Sequence, residues 1–278
     1  MPCKICIREP LPNHVYCPRC WNLIKNKPDH EEHAAALKKV YDLILDLFIC
    51  FYTGVPLNDT DPHNPWYVTF DHTIPGKKGT MAVCAWWVND MKADLTEPEF
   101  RRAVSFIARY LRGETVDWSK LRFSHWKRKP APKIAAPPPA DGLSETPARC
   151  DICDRKPKPG CKDCPRCRSF LFEGRDISER RVAMKAGWDG KSRRFRCKYT
   201  GALLNHWNAK SPNYMVFDHP DPDAEGLVLT LAWLNCMKSD LDEEEFPMAI
   251  LELDRHFSGA PFDKDVIEFR HWYRAPRP

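Results

Sequence analysis

The chain repeats itself, and this limits its architecture more than any other feature. Cys150, Cys153, Cys164 and Cys167 follow Cys3, Cys6, Cys17 and Cys20 at a constant offset of 147 residues (3 to 150). The same offset carries Thr53-Gly54 onto Thr200-Gly201, Pro65 onto Pro212 and Phe70-Asp71-His72 onto Phe217-Asp218-His219. After a one-residue deletion, an offset of 146 (89 to 235) relates Asn89 to Asn235, Met91-Lys92 to Met237-Lys238 and Glu99-Phe100 to Glu245-Phe246. Constant spacing with divergent filling means that a geometry is kept while surface residues drift. The chain is therefore two copies of one domain, over 1–126 and 150–278.

Between them, 127–149 holds six prolines and few large apolar side chains. Such a stretch favours extended polyproline II and spans up to roughly 70 Å at ~3.1 Å per residue. It reads as a linker. With 278 residues, two domains of ordinary size are expected. No apolar run approaches a membrane span, and the N-terminus lacks the layout of a secretory signal, so a soluble intracellular protein with no membrane partner is expected. The net charge of +5 is a mild basic bias that permits a nucleic-acid partner without requiring one.

Most of the 13 cysteines lie in Cys-x-x-Cys pairs, which in an intracellular chain point to metal rather than disulfides. Tetrahedral Zn²⁺ takes four soft thiolates, and two Cys-x-x-Cys turns each present two sulfurs to one ion. Cys3, Cys6, Cys17 and Cys20, and again Cys150, Cys153, Cys164 and Cys167, are the expected ligands of one structural Zn²⁺ per copy. Cys161 has no counterpart and is a competing ligand. Beyond the knuckles, apolar residues at Leu37, Val40, Tyr41, Ile44, Leu47 and Phe48 predict a helix within 31–50, matched by a shorter one over 177–190. These read as packing helices without chemistry.

The core of each copy reads as strand 67–72, a loop, a strand near 80–87 and a helix from about Asn89. In the second copy the elements are strand 214–219, a strand near 227–232 and a helix from about Asn235. Thr96 with Glu99, and Asp242 with Glu245, have capping-box spacing for a further helix. That helix is expected to bury Phe100, Val104, Ile107 and Leu111, or Phe246, Ile250, Leu253 and Phe257, and to stop at Gly113 or Gly259. The fold class is α+β. The loop after His72 carries Lys77 and Lys78, the loop after His219 carries Asp221, Asp223 and Glu225, and a basic run, 193–198, enters the second motif. His125-Trp126 and His271-Trp272 close the copies and read as core.

An Asp-His pair ending a β-branched run, followed by a second strand and Asn-x-x-Lys opening a helix, suits phosphodiester hydrolysis. The reaction needs a water made nucleophilic and a charge on the scissile phosphate. A strand-end His accepts the water's proton, while Asp and Asn are hard oxygen donors for Mg²⁺. The pattern behind a zinc knuckle resembles the HNH (ββα-metal) endonuclease family, although no Asn lies between His72 and Asn89 or between His219 and Asn235, where that family has its middle Asn. The resemblance implies His72 and His219 as general bases and Asp71, Asn89, Asp218 and Asn235 as ligands of Mg²⁺ or Mn²⁺. Lys92 and Lys238 would lie near the phosphate or support the site. Thr53 and Thr200 stand where many relatives place a Cys of a second zinc site, so only the N-terminal knuckles are expected to bind zinc.

A tandem repeat is a covalent version of the dimer with which many nucleases cut two strands. The resemblance therefore implies a double-strand DNA endonuclease of restriction or homing type, a monomer acting as a pseudo-dimer, with further dimerisation left open. Two other readings remain: a zinc-dependent nucleic-acid-binding protein without catalysis, and a junction-resolving or RNA-cutting nuclease.

Overall fold

The computed structural model describes residues 2–124, 126, 148–172, 176–270 and 272. Most of the Pro-rich stretch, together with His125 and His271, lies outside them. No described helix is long and apolar enough to cross a membrane. The chain forms two compact units, one of Met1–His125 with Met237–Pro278 and one of Trp126–Cys236. The last helical segment of the second copy thus packs with the first copy.

In the first unit, α1 (Pro18–Ile24) and α2 (His30–Val40) precede a short hairpin, β1 (Tyr41–Asp42) with β2 (Leu47–Phe48). A helix was expected here through residue 50, yet α2 stops at Val40. The Asp42 carboxylate accepts the backbone N–H groups of Ile44 and Leu45, a local turn bond that competes with helix. Leu43, Ile44 and Leu45 therefore stand exposed at the tip, Ile44 at 94%. The helical spacing was real, but it ran across a turn.

Then β3 (Val68–His72) pairs antiparallel with β4 (Met81–Ala85), which runs directly into α3 (Trp86–Lys92). Asp71 sits opposite Ala82. α4 (Glu97–Leu111) begins with the expected capping box: Thr96 Oγ1 accepts from the Glu99 N–H, and the Glu99 carboxylate accepts from the Thr96 N–H. It buries Phe100, Val104 and Ile107, each contributing about 1.5–3 kcal/mol. Leu111 is at its exposed end. Gly113 follows at φ +83°, a left-handed stop that glycine adopts without steric cost.

The second unit follows the same plan. It holds α5 (Pro165–Leu171), α6 (Ile177–Gly187), the hairpin β5 (Trp188–Asp189) with β6 (Arg194–Phe195), and β7 (Met215–Asp218) with β8 (Val228–Leu231). A Cβ on Gly187 would meet Leu229 Cδ1 at 2.7 Å, so glycine lets this helix end approach the sheet. Asp218 pairs with Val228, where Asp71 paired with Ala82, which puts the deleted residue in the loop between the strands. α7 (Ala232–Lys238) and α8 (Glu245–Phe257) complete the copy. Both α3 and α7 start three residues before their Asn, earlier than expected.

α8 belongs to the first unit, where the Phe257 ring lies 6.0 Å from that of Phe100 and 4.2 Å from the Arg101 guanidinium. Asp242 and Glu245 make the reciprocal bonds anticipated for a cap, although the helix proper begins at Glu245. Phe246, Ile250 and Leu253 are buried and Phe257 is half-buried.

Candidate functional site

Two sets of residues were singled out by the sequence, the thiolates and the strand-helix polar cluster. Cys3, Cys6, Cys17 and Cys20 converge, as do Cys150, Cys153, Cys164 and Cys167, with all ligand atoms of a set within 4.8 Å of one another and every residue buried. Sulfur separations are 3.5 Å for Cys6 to Cys17 and 3.6 Å for Cys6 to Cys20. A tetrahedral ion at about 2.3 Å from each sulfur sets its ligands roughly 3.8 Å apart. The second set matches, at 3.6 Å for Cys153 to Cys164 and 3.5 Å for Cys153 to Cys167. Backbone N–H groups of Ile5 and Cys20 point at Cys3 Sγ and Cys17 Sγ. Both sets fit structural zinc. Cys161 is buried outside the cluster, with Arg168 at 3.9 Å from its sulfur.

In the first copy, period-two alternation sets the faces of β3. Asp71 is buried on one of them, and α3 covers it. Asp71 Oδ2 accepts from Tyr52 Oη at 2.6 Å, and Oδ1 accepts from Lys92 Nζ at 3.0 Å. Lys92 has no solvent exposure, and it also donates to the His72 carbonyl at 3.0 Å. Burial pushes the Asp71 carboxyl up, against the pull of Lys92, Tyr52 and His72. One turn earlier on the helix, Asn89 Nδ2 donates to Thr69 Oγ1 at 3.2 Å and to the Phe70 carbonyl at 3.4 Å. Its carbonyl oxygen is thereby left for another partner. His72 is half-buried at the strand end.

The second copy keeps this pattern. Asp218 is buried and accepts from Tyr199 Oη, Lys238 is fully buried, and His219 is exposed. The side-chain oxygen of Asn235 is buried and has no hydrogen-bond partner among the described residues. An orphaned amide oxygen is a group that a cation satisfies. For a divalent ion, then, the Asn oxygens fit. Asp71 has two lone-pair positions left of about four, but it already shares its charge with an ammonium.

Sequence reasoning missed the two tyrosines that hold the Asp. Their shared offset was the available signal. It also missed His33 and Arg180 on α2 and α6, related by the same 147 residues. The His33 ring lies 4.5 Å from Phe70, and the Arg180 guanidinium 4.5 Å from Phe217. A His or an Arg thus flanks β3 or β7 in the two copies. Of the basic run at 193–198, Arg196 is taken up by Asp189 and the Gly201 carbonyl.

The chain matches no protein-family model, no curated protein and no solved structure.

Proposed function

We propose that this chain is a metal-dependent endonuclease that hydrolyses phosphodiester bonds of DNA, with one HNH-like ββα site in each copy. The observation that supports this most is that the same site occurs twice. A strand-end His stands beside a buried Asp gripped by a Tyr, and an Asn from the helix that follows the second strand completes the group.

His72 and His219 accept the proton of the attacking water; that His72 is half-buried and His219 exposed supports this role. Lys92 fixes the His72 backbone and the Asp71 carboxylate together, and so acts as a positioning residue that does not itself touch substrate. Asp71 with Asn89, and Asp218 with Asn235, would hold Mg²⁺ or Mn²⁺. The ion supplies charge neutralisation at the scissile phosphate. Because a duplex presents two strands, a chain with two sites makes a double-strand cut without dimerising. The zinc ions are structural, holding loop-rich pieces too small to fold on an apolar core.

A second reading has its own support. Both Asp71 oxygens are engaged by Tyr52 and a buried ammonium, as expected of a structural pair in a zinc-dependent nucleic-acid-binding protein that does not cut. Duplex cleavage with Mg²⁺ or Mn²⁺, measured beside duplex binding, separates the two. The nuclease reading predicts that His72→Ala with His219→Ala abolishes cleavage and leaves binding intact. Binding without scission by the wild type supports the rival, while intact cleavage in that double variant contradicts both the rival and the assignment of these two bases.

A further inference from the structure

The two copies differ most where an arginine beside the zinc knuckle meets the hairpin. In the first copy Arg19 lies over the Phe48 ring at 4.7 Å and is surrounded by carboxylates. Its Nη1 donates to the Asp46 carbonyl at 2.9 Å and to Asp46 Oδ1 at 3.1 Å, and its Nε donates to Asp59. Arg8 donates to Asp46 at 2.8 Å, and Tyr41 Oη does so at 2.7 Å. Two guanidinium groups face two carboxylates, and the network is closed.

The offset of 147 converts Arg8, Arg19, Tyr41 and Phe48 into Arg155, Arg166, Trp188 and Phe195. It converts Asp46 into Arg193 and Asp59 into His206, so both counter-charges are gone. The backbone is unchanged, with Asp46 at φ +49° and Arg193 at φ +54°. Arg166 still lies between aromatic rings, 4.8 Å from Trp188 and 5.1 Å from Phe195. Its Nη1 now meets His206 Nε2 at 3.5 Å. Arg166 Nε and Nη2, Arg194 Nε and His206 Nδ1 are buried without a hydrogen-bond partner among the described residues. Among the described residues, the negative groups near Arg166 are the sulfurs of Cys153, to which the guanidinium is hydrogen-bonded, Cys164 and Cys167. Arg19 has the same knuckle beside it yet still takes two carboxylates. Burial foremost, then the charges of Arg166, Arg155 and Arg194, lowers His206 to about 4, with Cys153 pulling the other way. Next to it Trp207 is 66% exposed, its ring 4.7 Å from His206 and 5.3 Å from the Arg194 guanidinium.

A buried guanidinium with unused donors calls for an anion, and a planar fork suits phosphate oxygens. We propose that Arg166, Arg155, Arg194 and His206 form a phosphate site for a nucleic-acid strand, with Trp207 stacking on the adjoining base, and that Asp46 and Asp59 fill the equivalent place in the first copy. Aromatic stacking beside a basic groove is how single strands are held without sequence preference. That the phosphate comes from nucleic acid rests on the proposed function; the anion site itself does not.

The test uses the full zinc-loaded chain. Thermal unfolding is followed with inorganic phosphate against chloride at equal ionic strength, and anisotropy is measured with a labelled oligothymidylate. The wild type should be stabilised by phosphate beyond chloride and should bind the oligonucleotide. Arg193→Asp with His206→Asp, which transplants the carboxylates of the first copy, should melt no lower than wild type without phosphate. It should lose the phosphate response and bind the strand about tenfold more weakly or worse. Trp207→Ala, an exposed change, should keep the phosphate response and weaken strand binding alone. No phosphate response in the wild type, or an unchanged response in the carboxylate variant, overturns the site. A phosphate response with no oligonucleotide binding overturns the nucleic-acid assignment. DNA cleavage, scored separately through His72 and His219, reports on the nuclease reading independently.

Discussion

The Lys92 ammonium, with no solvent exposure, lies 3.0 Å from Asp71 Oδ1 and 3.0 Å from the carbonyl of the neighbouring His72. One side chain from α3 thereby fixes both members of the Asp-His pair at the end of β3. Taking two charges out of water is costly, and removing one partner leaves the other uncompensated.

Lys92→Met should therefore lower the unfolding free energy by about 3–5 kcal/mol in urea titration, and Asp71→Asn in the same chain should recover part of that loss. A cost for Lys92→Met within about 0.5 kcal/mol, the range of ordinary surface changes, would mean that the pair does not form.

Tyr52→Phe removes the hydroxyl that donates to Asp71 Oδ2 and leaves the ring packed against Phe100 at 5.8 Å. A loss of about 1.5–3 kcal/mol is expected for a hydrogen bond to a charged acceptor. Tyr199→Phe, which cuts the matching bond to Asp218, should behave alike. Opposite effects in the two copies would show that the repeated geometry hides different roles.

Two zinc ions per chain should be released when a thiol-reactive mercurial displaces them, and one after Cys17→Ala. Chelation should unfold the segments ahead of α2 and α6, visible as lost protection from proteolysis in 2–29 and 148–172. Full protection after the metal has been stripped would make the clusters ordinary buried thiols.

The Glu99 carboxyl is held below its ordinary value: burial works against this, but the N–H groups of Thr96 and Ser124 and the Ser124 hydroxyl outweigh it. A depressed folded pKa contributes stability that is present above the unfolded value of about 4.3 and is lost as pH falls through the lower folded value. Glu99→Gln should remove that part of the acid-induced loss. Its amide oxygen still accepts from the Thr96 N–H, but the amide NH2 cannot accept from Ser124, and that lost bond should cost about 1.5–3 kcal/mol at neutral pH. An unchanged acid limb of the stability curve would count against the assignment.

Repeats and thiolate spacings were legible because they depend only on residue type and separation. Cys3 to Cys20 and Cys150 to Cys167 converge as their spacing implies. The capping box at Thr96 and the stop at Gly113 were equally readable, being local backbone chemistry. The hairpin after Val40 was not, because Asp42 turns the chain inside a run with helical periodicity. Nor were the partners of Asp71. Tyr52 lies 19 residues away and Lys92 lies 21, and only the packing of α3 on the sheet brings them to one carboxylate. The loss of Asp46 and Asp59 in the second copy was written in the alignment of the repeats, but it acquires meaning only once Arg19 is seen between them.

The most direct test of a two-site nuclease is scission of supercoiled, sequence-diverse DNA with Mg²⁺ or Mn²⁺, comparing wild type with His72→Ala and with His219→Ala. Linear product from the wild type and nicked circles from each single variant is the predicted result. Linear product persisting in both single variants, or supercoiled DNA left uncut by the wild type with either metal, would contradict it.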